Sequence, residues 1–376
     1  MILTLAVKNL FHDRIRLAVT LIGILFSVVL VAVQLGLYFG ARKMIVGMVE
    51  NANAQLWVMT NGAKSFEEGG VSLRSTERHA VLSVPGVEAA VPIIVSFTEW
   101  RKPNGSMTTA IVVGSDVESG GLAPWGVIAG TRASINEPGG VAVDRSYLSD
   151  LGVTGIGDTA EIQQSRVRIT AITEGIRSFT MAPFVFTTLN RARGLLGVPS
   201  DNFSYLLVQL APGSDVERVR TSIAGRLDGR EVLTKDEFRE RSLSQWLFST
   251  GAGVALIGGA LLGLLVGTVI VAQTLYSSTK DHLNEFATLR ALGSSAGYIH
   301  KVILTQAAFS AIIGYGLGMA ISLVITRFSE ATALPMVMTP WLAFGLFAIT
   351  AGMCAVSAVS AILKVTKIDP AMVFSR

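Results

Sequence analysis

The chain has 376 residues, of which 50% are hydrophobic and 15% charged, with a mean hydropathy of +0.53. A soluble domain of this length carries more charge and less apolar surface, so the composition excludes an ordinary soluble protein. Residues 43–245 hold 20 Lys and Arg against 22 Asp and Glu, while the rest of the chain holds 11 Lys and Arg against 5 Asp and Glu. The excess of positive charge therefore lies beside the most apolar segments, and it does not indicate nucleic-acid binding.

Four apolar segments that contain no Asp, Glu, Lys or Arg predict four transmembrane helices. The first covers residues 17–39, and 23 residues at 1.5 Å each are enough to cross a hydrocarbon core of about 30 Å. The other segments are 248–275, 302–325 and 341–363. An insertion of about 200 residues separates the first segment from the second. The sequence therefore predicts an α-helical membrane protein with one large domain on one side.

The positions of the basic residues predict the orientation, because short loops rich in Lys and Arg stay cytoplasmic. These residues are Lys8, Arg14 and Arg16 near the start, Lys280, Arg290 and Lys301 in the loop after the second span, and Lys364, Lys367 and Arg376 in the tail. We therefore expect both termini and residues 276–301 in the cytoplasm and residues 43–245 outside. A cleaved signal peptide is the rival interpretation, but the apolar run exceeds 7–15 residues and no A-x-A-like site precedes Arg42.

The expected organisation follows from these spans. It comprises a cytoplasmic interfacial helix (1–16), the first span (17–41), an external domain with helical stalks (42–247), the second span (248–275), a cytoplasmic loop with a short helix (276–301), the third span (302–325), a short external loop (326–340), the fourth span (341–363) and a cytoplasmic tail (364–376).

The external domain is predicted to be mixed α/β. Alternating or apolar runs predict strands at 55–59, 90–97, 108–113, 141–143, 167–172, 184–187 and 205–210, and helical patterns lie at 76–83, 189–196 and 215–227. Residues 42–49 and 235–247 are expected to extend the first two spans outward as helices. Gly-Gly pairs at 120–121 and 139–140 suggest a second lobe at about 115–202. The only cysteine, Cys354, lies in the fourth span, so no disulfide is expected.

The second span carries small residues every four positions: Gly251, Ala255, Gly259, Gly263 and Gly267. On a helix this spacing forms one stripe along which another helix can approach closely. Two interpretations remain open. The stripe either packs inside one chain or forms, at Gly259, Gly263 and Gly267, the seam between two copies. Gly314 and Gly318 in the third span are expected to pack internally.

Signals of catalysis, metal binding and cofactor binding are absent from the sequence or weak. The four histidines lack metal-ligand spacing, and the G-x-S-x-G match at residues 293–297 follows a helical run where a hydrolase needs a strand. The sequence has no G-x-x-x-x-G-K-[ST] motif for ATP phosphates. The spans carry no charge for an ion relay, so if the chain is a transporter, its energy comes from a partner. Gln34, Gln273 and Gln306 are the polar intrusions in the spans, and hydrogen bonds between helices explain them as well as a substrate path does.

Three stretches resemble FtsX-like ABC transporter permeases, which include the MacB-type exporters. They are LAVKNLFHDRIRLAVTLIGI at the start, STKDHLNEFATLRALGSS after the second span and VTKIDPAMVF near the end. The four-span layout with its large insertion is similar too, and VQLGLYFGA and AQLWVM resemble the DevC-like subgroup, which has no fused ATPase. The resemblance implies a MacB-like two-lobed external domain and a place in the bacterial inner membrane.

The resemblance also implies residue roles and partners. A short helix with Glu285, Phe286, Leu289, Arg290 and Leu292 would dock into a separate ABC ATPase, which would hold ATP and Mg²⁺, and Asp369 and Pro370 in the tail would make a further contact. Family members usually carry a Glu-Arg pair before this helix, where Lys280, Asp281 and His282 stand here. The other implied partners are a second copy of the chain, a periplasmic adaptor (membrane fusion) protein and membrane lipid.

Three functions remain open at this stage. The first is a permease subunit that exports or extracts a hydrophobic or amphipathic compound, such as a lipid, a glycolipid, heme or a drug. The second is an FtsX-like signalling subunit that activates a cell-wall hydrolase. The third, a membrane-anchored receptor or enzyme, accounts less well for the cytoplasmic LRALG and IDPA pieces. The chain itself is expected not to be an enzyme.

Overall fold

The computed structural model describes residues 13–281, 288, 295–330, 332 and 334–365. The chain divides into two compact units. The first, here called the helical unit, contains the described parts of residues 1–39, 254–330 and 335–376. The second, the α/β domain, contains residues 40–253 and the described part of 331–334.

Helix α1 (Arg14–Asn51) has 38 residues and a length of about 57 Å at 1.5 Å per residue. It includes the predicted first span and continues without a break through residues 42–49, which the sequence predicts as its helical extension. The helix supplies residues to both units, since the boundary falls between Phe39 and Gly40.

The α/β domain is built on one large mixed sheet. Its described strands, including those of a separate short pair, are β1 (Leu56–Thr60), β2 (Leu73–Arg74), β3 (Val87–Arg101), β4 (Met107–Ser115), β5 (Val127–Ala129), β6 (Gly140–Asp144), β7 (Thr159–Ile162), β8 (Ser165–Thr173), β9 (Phe184–Thr187), β10 (Asn202–Phe203), β11 (Tyr205–Leu210) and β12 (Arg230–Thr234). The order is β12-β1-β11-β3-β4-β9-β6-β8-β5, β7 pairs with β3 and β8, and β2 and β10 form the short pair. Within the large sheet, β4 with β9 and β6 with β8 are parallel, and the other neighbours are antiparallel.

All seven predicted strands correspond to strands of this sheet, namely β1, β3, β4, β6, β8, β9 and β11. The strands of the predicted second lobe join those of the first lobe in one sheet, because β9 pairs with β4 and β7 pairs with β3. Residues 115–202 therefore extend one sheet.

The two faces of the sheet pack into two different cores. The helices of the domain are α2 (Ser75–Leu82), α3 (Leu148–Leu151), α4 (Leu189–Leu196), α5 (Val216–Ala224) and α6 (Lys235–Leu243). Alternate residues of β4 point to opposite faces, with Val112 in the core beneath α2, α4 and α5, and Ile111 in the second core. The second core contains Phe66, Phe238 of α6 and Val49 near the end of α1.

The remaining helices are α7 (Ala252–Asp281), α8 (Ala296–Ser329) and α9 (Pro340–Val365). Together with α1, these are the four described helices long and apolar enough to cross a membrane, as the sequence predicts. Residues 235–247 are helical, but the helix does not continue unbroken into α7 as the sequence predicts. After α6 the chain forms a π-helical turn (Ser244–Ser249), and Gly251 adopts φ of 79°, which a side chain would disfavour.

Candidate functional site in the membrane helices

Helix α7 packs on α1 through its glycine stripe. A Cβ atom added at Gly267 would lie 2.5 Å from the Cβ atom of Ser27 in α1, and one at Gly263 would lie 3.0 Å from Cδ2 of Leu30. Such distances leave no room for a side chain, so glycine is what allows the two backbones to approach this closely.

Gly259 repeats the pattern, because an added Cβ atom would lie 2.6 Å from Nε2 of Gln34 in α1. This face is filled by α1 of the same chain, which agrees with the interpretation of packing inside one chain. The seam between two copies at Gly259, Gly263 and Gly267 stays a prediction. The physical reason is that the stripe specifies a close helix neighbour without specifying which helix it is.

Helix α1 meets α8 on another side. Added Cβ atoms at Gly314 and Gly318 of α8 would lie 2.5 Å from Cγ2 of Ile24 and 2.8 Å from Cβ of Val28. Both α1 residues are buried. The prediction that these two glycines pack internally is confirmed, and α1 is the helix that both glycine-bearing helices contact.

Hydrogen bonds between helices reinforce this packing. Ser27 Oγ donates to the carbonyl oxygen of Gly263 at 2.9 Å, and Ser357 Oγ of α9 donates to the carbonyl of Thr268 in α7 at 2.9 Å. Tyr315 OH of α8 donates to the carbonyl of Ala343 in α9 at 2.8 Å. In a hydrocarbon environment such bonds have no competition from water, and each contributes about 1 kcal/mol.

A charged cluster joins the start of α1 to the end of α7. Arg16 Nη2 lies 2.5 Å from Asp281 Oδ2 and 3.3 Å from Asp13 Oδ2. In the sequence, Arg16 indicates only the orientation, and this cluster is not predicted. The i, i+3 spacing of Asp13 and Arg16 indicates the local pair, but no local pattern indicates Asp281, which lies 265 residues away.

Two cavities adjoin this cluster in the helical unit. The larger, of about 590 Å³, is an open groove between α1 and α7 with Val19, Ile270 and Gln273 in its walls. The smaller, of about 20 Å³, is lined in part by Gln306 and Ser310. Ser310 Oγ is buried without a hydrogen-bond partner among the described residues, and the smaller cavity is large enough for one water molecule.

The residues expected to contact an ATPase lie outside the described residues. This applies to Glu285, Phe286, Leu289, Arg290 and Leu292, and to Asp369 and Pro370 of the tail. The described chain reaches Asp281 at the end of α7, directly before this segment. Their assignment therefore stays a prediction.

Two family models match the chain and together cover most of it. Residues 17–226 match the MacB-like periplasmic core domain, and residues 257–370 match the FtsX-like permease C-terminal domain. The first match alone covers more than half of the chain.

Individual relatives agree with these matches. The chain is 24% identical to an uncharacterized ABC transporter permease of Mycobacterium tuberculosis strain H37Rv, over 98% of each chain. It is 23% identical to the macrolide export ATP-binding/permease protein MacB of Marinobacter nauticus, over 89% of this chain and 54% of that one. Among solved structures, the periplasmic region of MacB from Actinobacillus actinomycetemcomitans matches with a TM-score of 0.38 and 11% identity, over 51% of this chain and 94% of that one.

Proposed function

This chain belongs to the family of MacB-like and FtsX-like ABC transporter permeases, and from that premise we propose that it couples ATP hydrolysis by a separate cytoplasmic ATPase to movement of the α/β domain. The movement exports or extracts a hydrophobic or amphipathic compound such as a lipid, a glycolipid, heme or a drug. In this proposal the termini and residues 276–301 face the cytoplasm of a bacterium, and the α/β domain lies outside the inner membrane.

The observation that carries the proposal is the course of α1. Near its start, Arg16 is paired with Asp281, the last residue of α7. In the sequence, Asp281 precedes the predicted short helix with Glu285 and Leu289, here called the coupling segment. Toward its other end, Met48 and Val49 are buried in the second core of the α/β domain. One uninterrupted helix thus has a residue paired with the last residue of α7 and residues in that core. A displacement imposed on α1 near Arg16 can therefore be transmitted along the helix to Met48 and Val49.

The close packing of the helical unit supports transmission of such a displacement. Where glycine brings backbones together, a shift of one helix cannot be absorbed by side-chain rearrangement alone and is passed to its neighbour. Helix α1 is held in this way by Gly267 of α7 and by Gly314 of α8. In this proposal Glu285 and Leu289 of the coupling segment contact the ATPase, and the coupling segment imposes the displacement on the helices.

The energy source in this proposal is a partner chain. The sequence lacks a phosphate-binding motif and has no charged residue in the predicted spans. The relative from Marinobacter nauticus is named an ATP-binding/permease protein, and this chain matches 54% of its length. A second copy of the chain, a periplasmic adaptor protein and membrane lipid complete the proposed assembly.

The proposal is tested by placing single charges in the coupling segment. Glu285→Lys and Leu289→Asp should leave the four spans inserted and reduce binding and stimulation of the ATPase, because an unpaired charge in a docking surface costs about 2–5 kcal/mol. Co-purification of the ATPase and its rate of ATP hydrolysis in reconstituted membranes are the measurements. Glu330→Lys makes the same change between α8 and α9 and serves as the control. Wild-type binding and hydrolysis in both coupling variants would contradict the proposal.

A further inference from the structure

The α/β domain buries a carboxyl group that the proposed function does not use. Glu67 lies in a short 3₁₀ turn (Phe66–Glu68) and is 9% exposed. Its Oε1 atom accepts a hydrogen bond from Ser178 Oγ at 2.6 Å, whereas Oε2 is buried and has no hydrogen-bond partner among the described residues. An ionised carboxylate has about four acceptor sites to satisfy, so one hydrogen bond leaves the charged form poorly compensated.

The electrostatics of the site agree with this geometry. Burial raises the pKa of Glu67 to about 7, the hydrogen bond from Ser178 opposes the rise, and the charge of Glu68 adds to it. Burial also raises the pKa of the neighbouring Tyr147 to about 12. The pKa of Tyr205 is raised too, again chiefly by burial and further by Glu68 and Glu67. The phenols therefore stay neutral near pH 7, and the carboxyl of Glu67 is the group that titrates there.

Two further charges lie near the phenol of Tyr147, which borders the same site. Asp144 in β6 raises the pKa of Tyr147, and Arg177 lowers it. Asp144 is itself buried, and it accepts hydrogen bonds from the backbone nitrogens of Ser146 and Ile176 at 3.0 and 2.8 Å. Asp144 therefore has hydrogen-bond donors at its buried carboxyl group, whereas Oε2 of Glu67 has none among the described residues.

The partner of Glu67 belongs to a segment that is fastened at several points. We call residues 174–183, between β8 and β9, the latch segment. Its Ile176 amide donates to Asp144, its Ser178 amide donates to Tyr147 OH at 3.2 Å, and its Thr180 amide donates to Ser178 Oγ at 3.1 Å. The contact with Glu67 joins this segment to a residue 111 positions earlier in the chain.

The latch segment is also conformationally strained and contacts the turn before α7. Met181 has φ of 62°, in the left-handed region that non-glycine residues rarely adopt because of steric strain. The ring of Phe179 lies 5.6 Å from the ring of Trp246 in the π-helical turn. The chain enters α7 six residues after Trp246. The latch segment is therefore strained, contacts the buried carboxyl group of Glu67 and packs on the π-helical turn. These features suit a segment that opens and closes.

We propose that the latch segment is a proton-operated latch. With Glu67 protonated, the segment stays closed and holds Phe179 against Trp246. When Glu67 loses its proton, the buried carboxylate draws water inward and the segment opens. The α/β domain then responds to the pH on the side of the membrane that it faces, which is a property beyond the proposed coupling to an ATPase and independent of it.

The direction of the pH dependence follows from the two pKa values of Glu67. In the closed segment the pKa is about 7, above its ordinary value of 4.5, so the closed state binds the proton more tightly. Stabilisation of the closed state is therefore complete below about pH 4.5, falls as pH rises, and is lost above about pH 7. Across this window the equilibrium constant for opening should rise by roughly tenfold per pH unit.

Hydrogen–deuterium exchange of the full chain in nanodiscs tests the latch. The amides of Ile176, Ser178 and Thr180 report on opening, after correction for the intrinsic pH dependence of exchange. We expect their protection to fall by roughly two orders of magnitude between pH 5 and 7 and to level off above pH 7. In Glu67→Gln, which cannot ionise, protection should not vary over this range.

Two further variants keep the test decisive. Glu68→Gln removes an exposed carboxylate from the same turn and should retain the wild-type slope. Ser178→Ala removes the hydrogen bond that lowers the pKa of Glu67 and should extend the slope to a higher pH. A wild-type segment whose protection does not depend on pH would overturn the proposal. So would a Glu67→Gln variant with the wild-type slope, or a Ser178→Ala variant with the unshifted wild-type profile.

Discussion

At the scale of single residues, glycine decides how closely α1 and α7 approach each other. Gly267 and Gly258 lie in the same helix, but only the first faces a neighbour. A Cβ atom at Gly267 would overlap Ser27, whereas one at Gly258 would meet no atom of the described residues within 4 Å. The two positions therefore separate the effect of close packing from the effect of glycine on the helix itself.

We predict that Gly267→Ala lowers the free energy of unfolding by about 1–3 kcal/mol relative to Gly258→Ala, because the added methyl group forces α1 and α7 apart. Both substitutions gain the same helix propensity, so the difference isolates the overlap. Reversible unfolding in mixed micelles measures it. Native mass spectrometry should give the same oligomeric state for both variants, since the glycine face is internal. Equal stabilities would show that Gly267 and Ser27 are not in contact.

For the glycines of α7, part of the packing can be predicted from the sequence and part cannot. Small residues at every fourth position predict close helix packing, and the structure has it. The partner could not be predicted, because any helix with a complementary face satisfies the pattern. Glu67 was missed for a related reason. It stands in a polar Ser-Phe-Glu-Glu stretch typical of a loop, and its burial depends on Ser178, which is distant in sequence.

At the scale of elements, strong local patterns predict strands and helices well. The strand over 184–187 and the helix over 189–196 appear with the predicted bounds. Thr188 begins this helix by accepting a hydrogen bond from the Arg191 amide, and Asp215 caps α5 in the same way. These signals lie within a few residues of the element they specify, so a single sequence contains them.

Elements held by distant partners were not predicted. Strand β12 (Arg-Glu-Val-Leu-Thr) begins with two charged residues, and its extended form depends on pairing with β1 over five positions. The parallel pairing of β4 with β9 joins strands about 70 residues apart and turns the expected second lobe into part of one sheet. The π-helical turn before α7 was not predicted either. No sequence pattern at residues 244–249 distinguishes this turn from a continuous helix.

At the scale of the whole molecule, composition and hydropathy are enough to predict four membrane helices and one large inserted domain. The transfer free energy of each apolar segment is additive along the chain and needs no knowledge of tertiary contacts. The three stretches that resemble FtsX-like permeases add the family, which the two family models confirm. Orientation rests on the distribution of Lys and Arg.

We predict that single cysteines label according to this orientation. In a Cys354→Ser background, Ser119→Cys in the α/β domain should react with an impermeant thiol reagent added to intact cells. Lys280→Cys at the end of α7 should react only after lysis. Both positions are exposed, so access to the reagent depends on the side of the membrane. Labelling of Lys280→Cys in intact cells would reverse the orientation.

The central claim is that ATP hydrolysis on a separate chain moves the α/β domain. Hydrogen–deuterium exchange across residues 40–253 tests it directly, with the permease and its ATPase reconstituted together in nanodiscs. We predict that protection in this domain differs between the ATP-bound state of a hydrolysis-deficient ATPase and the ADP-bound state, and that Leu289→Asp abolishes the difference. Identical exchange in the two nucleotide states, with the ATPase bound, would contradict the account.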